Sequence, residues 1–374
     1  MCYKKWIYLC LVVLAFVACS TKSSYSVRPG NRYATGFEIE QQGSAYQLTI
    51  YYPWMPDKIM AQYLVNPPYQ RFASNSCTHV GFLNELNALS RLVGITDRHL
   101  VFTQLTDSVI DLGNSMSPNL EQIALTLPDV MLLSTYSEGD MTPQRLSKMD
   151  IPIIYINEWN EQSPLARAEW IRVFGVLTGQ LELADSIFNA IADRYNLLVE
   201  SQQSRLDTTH LTILSGQDFR GTWYVPAGNT YMGKLFQDAG YDYRYATDEG
   251  TASIPLTTEQ VLTEFRDVDV WVGVQERTLA DLQSRDEKHT WIKAFQTGNV
   301  YHFMKRATDN GANDFWETGV VHPEYILSDL IQIQSLSPSS SSSFSFSSSS
   351  SSSHSPFPSP SPSHSPLHFT APLK

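Results

Sequence analysis

The chain has 374 residues, 42% hydrophobic and 17% charged, which allows two or three domains with their own cores and excludes disorder throughout. Its net charge is −12, with 38 acidic against 26 basic side chains, so nucleic acid is excluded as the main partner: phosphate binding needs a surplus of Lys and Arg. Aromatic residues make up 12% of the chain and include eight Trp, so flat contact surfaces are plentiful.

Met1–Cys19 opens with Lys4 and Lys5, runs through the apolar stretch Trp6–Val17 and closes on Ala18-Cys19. The stretch is shorter than the roughly 20 apolar residues of a membrane span and fits a secretory signal over residues 1–18. A small residue before Cys is similar to a bacterial lipoprotein signal. That resemblance implies a lipidated Cys19, with residues 19–35 as a tether. Cys2 and Cys10 leave with the signal, so Cys77 has no partner for an internal bridge and the mature domain must be held by its apolar core.

Between about Gly36 and Pro53, alternation such as Tyr46-Gln47-Leu48-Thr49-Ile50 predicts strands. Then strands and helices alternate. Leu92–Ile95, Val130–Ser134 and Ile153–Ile156 are buried-strand runs, with helices expected at about His79–Leu89 and Ser117–Leu127. Ser117 with Pro118 reads as a helix cap and first turn. This order predicts a parallel sheet with helices on both faces, an amino-terminal α/β lobe over residues 36–180. Over residues 181–203, Ala184, Ile187, Phe188, Ile191, Tyr195 and Leu198 recur at three- and four-residue steps with no Pro or Gly, which predicts one long linker helix. Alternation resumes through Leu211–Ser215, Met232–Ala239, Thr258–Phe265, Val268–Val274, Val300–Phe303 and Pro323–Gln334, giving a second α/β lobe over residues 204–336. Residues 337–374, nearly all Ser and Pro, are expected to be a disordered tail and receive no role.

A short echo links the two halves. Asn119-Leu120-Glu121-Gln122-Ile123 leads to Asp129-Val130-Met131-Leu132, and Thr257-Thr258-Glu259-Gln260-Val261 leads to Asp269-Val270-Trp271-Val272. Each is a helix start with Glu-Gln in its first turn, followed by a buried strand. Favourable interaction with the helix dipole explains both glutamates, and so does one exposed carboxylate per lobe waiting for a basic partner.

Together with Arg71-Phe72-Ala73-Ser74-Asn75-Ser76 and Arg91-Leu92-Val93-Gly94-Ile95-Thr96, these segments make the stretch from about Asn66 to Gln334 resemble the periplasmic substrate-binding proteins of ABC importers for iron-siderophores, haem and vitamin B12. The resemblance implies two Rossmann-like α/β lobes joined by a single long rigid helix, with a ligand cleft between the lobes and only modest closure. It implies a non-enzymatic, monomeric receptor, lipid-anchored to the membrane in the bacterial periplasm, that hands its ligand to an ABC permease and its ATPase. Glu121 and Glu259 stand where the family places the glutamates that meet permease arginines; such pairs set orientation and on-rate more than affinity.

The ligand implied is a ferric chelate, haem or a corrinoid, with no resident cofactor. Two positions that are aromatic in the vitamin B12 binder are Ser115 and Ser253 here. His79, Trp159, Arg220, Trp223, Tyr224, Asp314 and Trp316 lie in segments expected to face the cleft. Aromatic faces suit a flat macrocycle or a catecholate, and a guanidinium suits an anionic chelate. The same Trp residues also read as packing groups.

Other chemistries fit less well. Cys77 and His79 are neighbours in sequence, whereas a nucleophile pair needs a third, orienting group. The other mature histidines before the tail show no metal-ligand spacing, which argues against a receptor for free zinc or manganese. No Gly-x-Ser-x-Gly elbow for a hydrolase occurs. A non-transport surface lipoprotein is the remaining alternative, and it has no need of a long interlobe helix.

Overall fold

Alternating apolar positions pair into an antiparallel meander of Phe37–Gln42, Ala45–Tyr52 and Met55–Val65, with Phe37 opposite Ile50 and Tyr46 opposite Val65. In the computed structural model, which describes residues 26–66, 68–137, 139–204, 210–336 and 366–374, this meander covers the edge of a larger sheet. Tyr155 N donates to the Tyr63 hydroxyl there, so a strand edge that would otherwise invite pairing is closed. The segment before the meander is no tether from Arg32 onward. Glu169 accepts the N–H groups of Arg32, Tyr33 and Ala34, and Glu161 accepts those of Thr35 and Gly36 together with Trp170 Nε1–H.

The amino-terminal sheet is parallel, in the spatial order Ile153–Tyr155, Val130–Leu133, Phe72–Ser74, Leu92–Ile95, Ile110–Asp111. Val130–Leu133 is buried along its whole length, as a strand covered on both faces must be. Strand order reverses between Phe72–Ser74 and Val130–Leu133, and a crevice forms at the carboxyl ends of such a switch point. The helix before Val130 is shorter than its sequence predicts. Ser117–Pro118 pairs as a strand with Gly113–Asn114, and Asn119 caps the helix Leu120–Leu125 by accepting Gln122 N–H at 3.1 Å. A residue before Pro is pushed toward extended backbone, so the cap falls to the next residue able to serve.

The helix Leu181–Gln203 is continuous over 23 residues and buries Ala184, Phe188, Ile191, Ala192 and Tyr195. It touches both halves: it packs along Ile171–Thr178 and Pro323–Leu336, and Tyr195 Oη donates to Asp238 at 2.6 Å. Beyond it Ile213–Ser215, Val270–Val272 and Val300–His302 form a second parallel sheet, flanked by the antiparallel strands Asp218–Phe219, Thr222–Pro226 and Ser253–Leu256.

The end of the chain corrects the expected tail. Ala371–Pro372 adds to Val300–His302 as an antiparallel strand, and Phe369 and Leu373 are buried. Asp329 accepts the backbone N–H groups of His368, Phe369 and Thr370 and the Thr370 hydroxyl. Ser/Pro composition masked this segment, whose last residues carry enough apolar side chain to fill a core. Residues 337–365, like the expected signal and Cys19, lie outside the described residues.

The halves share a base. One apolar cluster runs from Phe37, Phe72 and Phe174 through Phe188 to Tyr231, Phe315 and Phe369. Gly81 allows a close approach: a Cβ there would stand 2.5 Å from the Glu317 carbonyl oxygen. The Glu317 carboxylate accepts N–H groups of Phe102 and Thr103 across the seam, the latter at 3.0 Å.

Candidate ligand-binding site

The carboxyl ends of Phe72–Ser74 and Val130–Leu133 open on a concavity of about 400 Å³ whose walls include Asn75, Ser115, Tyr136, Asp140, Thr142 and Arg145. These lining residues all come from the amino-terminal half. Its loops are stitched together. Asn75 Nδ2 donates to the Ser134 carbonyl at 2.9 Å and Asn75 Oδ1 accepts Ser134 N–H at 2.8 Å. Asn157 Oδ1 accepts both N–H and O–H of Thr135 at 3.0 Å, and Asp97 accepts Ser115 N–H at 2.9 Å. Binding groups thus sit on a largely pre-formed wall.

Behind this wall lies a buried polar cluster. His79 is fully buried, its Nδ1 2.8 Å from Ser74 Oγ and its Nε2 3.1 Å from Ser134 Oγ. Burial pushes the imidazole down to about 3, so it is neutral. The structure therefore puts His79 in the core, bonded to two strand ends and absent from the crevice lining. Thr78 Oγ1 donates to Glu158 Oε1 at 2.5 Å, whereas Glu158 Oε2 is buried with no hydrogen-bond partner among the described residues, 3.8 Å from His79 Nε2. Burial raises the Glu158 pKa; the Thr78 bond and the Arg167 charge work against it. Arg167, on the helix Pro164–Glu169, donates to the Trp159 carbonyl and lies over the Tyr231 ring of the other half, 4.3 Å from its centroid. Arg167 Nε and Trp159 Nε1 are likewise buried and unpartnered among the described residues. Burial, with Glu317 and Glu158 nearby, pushes the Cys77 thiol up to about 12, which disfavours the thiolate that a nucleophile needs.

The remaining residues expected at the cleft separate by burial. The Trp159 ring packs on Tyr136, a wall residue, at 5.6 Å between centroids, which brings it to the site. Trp223 is fully buried in the carboxy-terminal core, donating Nε1–H to the Ser215 carbonyl at 2.9 Å and packed on Trp271. Its assignment to the cleft fails because it lies inside a strand, where alternate side chains point inward; Tyr224, next in line, is exposed. Arg220 sits exposed at a hairpin tip with φ +56°, over the Phe219 ring. Asp314 is buried and occupied, accepting Arg306 Nε–H at 2.6 Å and Thr318 N–H at 3.3 Å. Trp316 is exposed, edge-on to Phe315. Sequence reading missed Tyr136, Arg145, Glu158 and Arg167. Tyr136 had a signal: it follows a buried strand at its carboxyl end. Among the described residues no cluster of three or more His, Cys, Asp or Glu side chains is placed to hold a metal ion.

Comparison with known proteins decides the family. The family described as periplasmic binding protein matches residues 74–307, well over half of the chain. The chain belongs to the periplasmic binding protein family. An uncharacterized lipoprotein of Methanocaldococcus jannaschii is 23% identical over 300 residues, covering 75% of this chain and 69% of the relative. Among solved structures, a periplasmic haem-binding protein from Pseudomonas aeruginosa superposes with a TM-score of 0.56 at 15% identity, over 72% of this chain and 94% of its own. The siderophore-binding protein FhuD from Vibrio cholerae, bound to Fe3+–Desferal, does so with a TM-score of 0.52 at 17% identity, over 71% and 98%. The fold is thus that of a two-lobed periplasmic binding protein, a non-enzymatic transport component.

In this periplasmic binding protein the two echoed glutamates occupy equivalent places. Glu121 lies in the first turn of Leu120–Leu125 and Glu259 in the first turn of Thr258–Glu264; each helix leads into the strand beside the first strand of its own sheet. Both are exposed. Thr257 and Gln260 complete a reciprocal capping box around the second helix start. Glu259 differs from Glu121 in having Lys288 Nζ 3.3 Å from Oε1; its own backbone N–H and this lysine hold its carboxyl below the usual range. Among the described residues no helix is long and apolar enough to cross a membrane.

Proposed function

We propose that this periplasmic binding protein is the lipid-anchored receptor of an ABC importer. It captures a ferric chelate, with haem or a corrinoid as the alternatives, and delivers it to a membrane permease driven by its ATPase. The observation that carries the reading is the preformed crevice at the sheet's switch point, opening beside a seam where Arg167 of one half meets Tyr231 of the other. A haem binder and a ferric-siderophore binder among the similar structures support the ligand class, and the lipoprotein relative supports the anchor at Cys19. Glu121 and Glu259 are the docking pair, and the protein works as a monomer.

Tryptophan-fluorescence titration with ferric siderophores, haemin and cobalamin tests the ligand class: one of the three is expected to saturate the signal, and no response to any of them refutes the reading. A Cys19→Ala variant is expected to leave the membrane fraction while keeping its ligand affinity; retention in the membrane would remove the lipid anchor from the scheme.

A further inference from the structure

We infer that the hairpin tip Tyr52–Met55 is a lipid contact, which seats the anchored receptor on the bilayer with its crevice side toward the membrane. This rests on the proposed anchor at Cys19 and adds a second, non-covalent contact to it. The tip belongs to the antiparallel meander of residues 37–65, which lies outside the residues that match the family.

Tyr52 pairs with Met55, so Pro53 and Trp54 alone make the loop. Two-residue hairpin loops favour Asn, Asp or Gly for their backbone freedom, and a Trp does nothing for such a turn. Pro53 is buried, and its carbonyl accepts Asn160 Nδ2–H at 2.9 Å, which fixes the tip. Trp54 and Met55, by contrast, are exposed, and the Trp54 indole has no hydrogen-bond or ring partner among the described residues. An indole joins an apolar ring to one N–H donor, and such side chains collect where acyl chains meet headgroups.

The start of the described chain is tied to this same tip. Arg28 donates to the Pro56 carbonyl and lies over the Tyr51 ring, 3.7 Å from its centroid. Residues 20–25 are all that separate Cys19 from Ser26, and at about 3.5 Å per residue they keep the anchor within about 25 Å of Ser26. An anchor at Cys19 therefore holds the tip near the lipid surface. The charges around the tip nearly cancel: Arg28 faces Asp57 at 3.9 Å, and Lys58 lies over the Tyr52 ring, 4.9 Å from its centroid. With a net charge of −12 on the whole chain, an anionic surface would repel the protein, so apolar insertion into a zwitterionic bilayer is the mode that fits.

The same contacts set the orientation. Asn160 follows the strand Ile153–Tyr155 at its carboxyl end, and Asn157 beside it holds Thr135, the neighbour of the crevice-wall residue Tyr136. The tip thus stands on the side of the amino-terminal sheet to which the crevice opens.

The anchored protein, reconstituted in phosphatidylcholine vesicles, tests this with lipid brominated near the headgroup end of its acyl chains, which quenches indoles that touch it. The parent is expected to lose tryptophan emission on going from plain to brominated lipid. Trp54→Phe, which keeps an apolar ring at the tip, is expected to lose most of that response with its Tm unchanged. Equal quenching in both proteins would show that another exposed ring, Trp291 or Trp316, meets the lipid, and would overturn the inference. No quenching in a vesicle-bound parent would overturn it too, leaving the tip to a protein surface and the anchor intact. A parent that fails to associate with vesicles at all would bring down the anchor at Cys19, and this inference with it.

Discussion

Two buried histidines show how partners, and not burial alone, decide a charge. His79 meets two serine hydroxyls and stays neutral. His322 lies between Glu85 Oε2 at 3.1 Å and Glu324 Oε1 at 3.0 Å, with Arg194 also on Glu324. Burial works against its charge, but hydrogen bonds to Glu324 and Glu85 push its pKa up to about 9 from 6.5. The stabilisation it contributes is complete below the unfolded value of 6.5 and is lost as pH rises through about 9. Since one pKa unit corresponds to about 1.4 kcal/mol, the charged bridge is worth about 3 kcal/mol at the lower pH. His322→Gln is therefore expected to lower stability at pH 6 much more than at pH 10, as read by urea unfolding at the two pH values. An equal loss at both would mean that His322 acts by packing alone. Two buried carboxylates show the opposite balance: burial raises the pKa of both Glu161 and Glu158, although four donors oppose it at Glu161 and Thr78 with nearby backbone N–H groups oppose it at Glu158.

At the scale of elements, the final strand is the clearest case of local composition being overruled by packing. Ala371–Pro372 completes an edge of the carboxy-terminal sheet, Phe369 enters the main core, and Leu279 N–H donates to the carbonyl of Lys374. Asp329 holds this strap through one carboxylate. Removing it strands buried N–H donors at a cost of about 1–3 kcal/mol each. Asp329→Ala is expected to lose about 3 kcal/mol in chemical denaturation and to open residues 366–374 to limited proteolysis. A variant as stable and as resistant as the parent would show that the strap docks without contributing to the fold. Phe369 also packs edge-on to Phe315, next to Glu317, so the strap supports the element that reaches across to Phe102 and Thr103.

At the scale of the whole molecule, the halves are fused at the base by one apolar cluster, by the Gly81–Glu317 approach and by the linker helix. A shared core resists large rotation, because packed interiors switch between discrete arrangements and do not deform freely. The proposed docking would then present one carboxylate from each half at a nearly constant separation. Reversing both charges, Glu121→Arg with Glu259→Arg, is expected to abolish ligand uptake by cells while leaving affinity in solution intact. Loss of both together would place these residues in ligand binding or folding. Lys288 gives the two proposed docking sites unequal starting points, since Glu259 stands in an ion pair and Glu121 has none among the described residues. Solvent screens exposed pairs of this kind, so the exchange is easy.

Much of this architecture was legible in the residues alone. The β/α alternation, the uninterrupted stripe of Leu181–Gln203 and the echo that sets Glu121 and Glu259 at matching helix starts are local patterns, produced by helix and strand periodicity within a few residues. Their order, with the quoted motifs, carried the resemblance that the family match then showed. Tertiary structure decided the rest, because burial depends on which faces meet. It sent Trp223 and His79 inward, Asp314 into an ion pair with Arg306, and the end of the supposed tail into a sheet. Glu158 and Arg167 belong to one loop and helix, yet Tyr136 and Tyr231 reach them from distant parts of the chain, and no spacing in a sequence encodes that meeting.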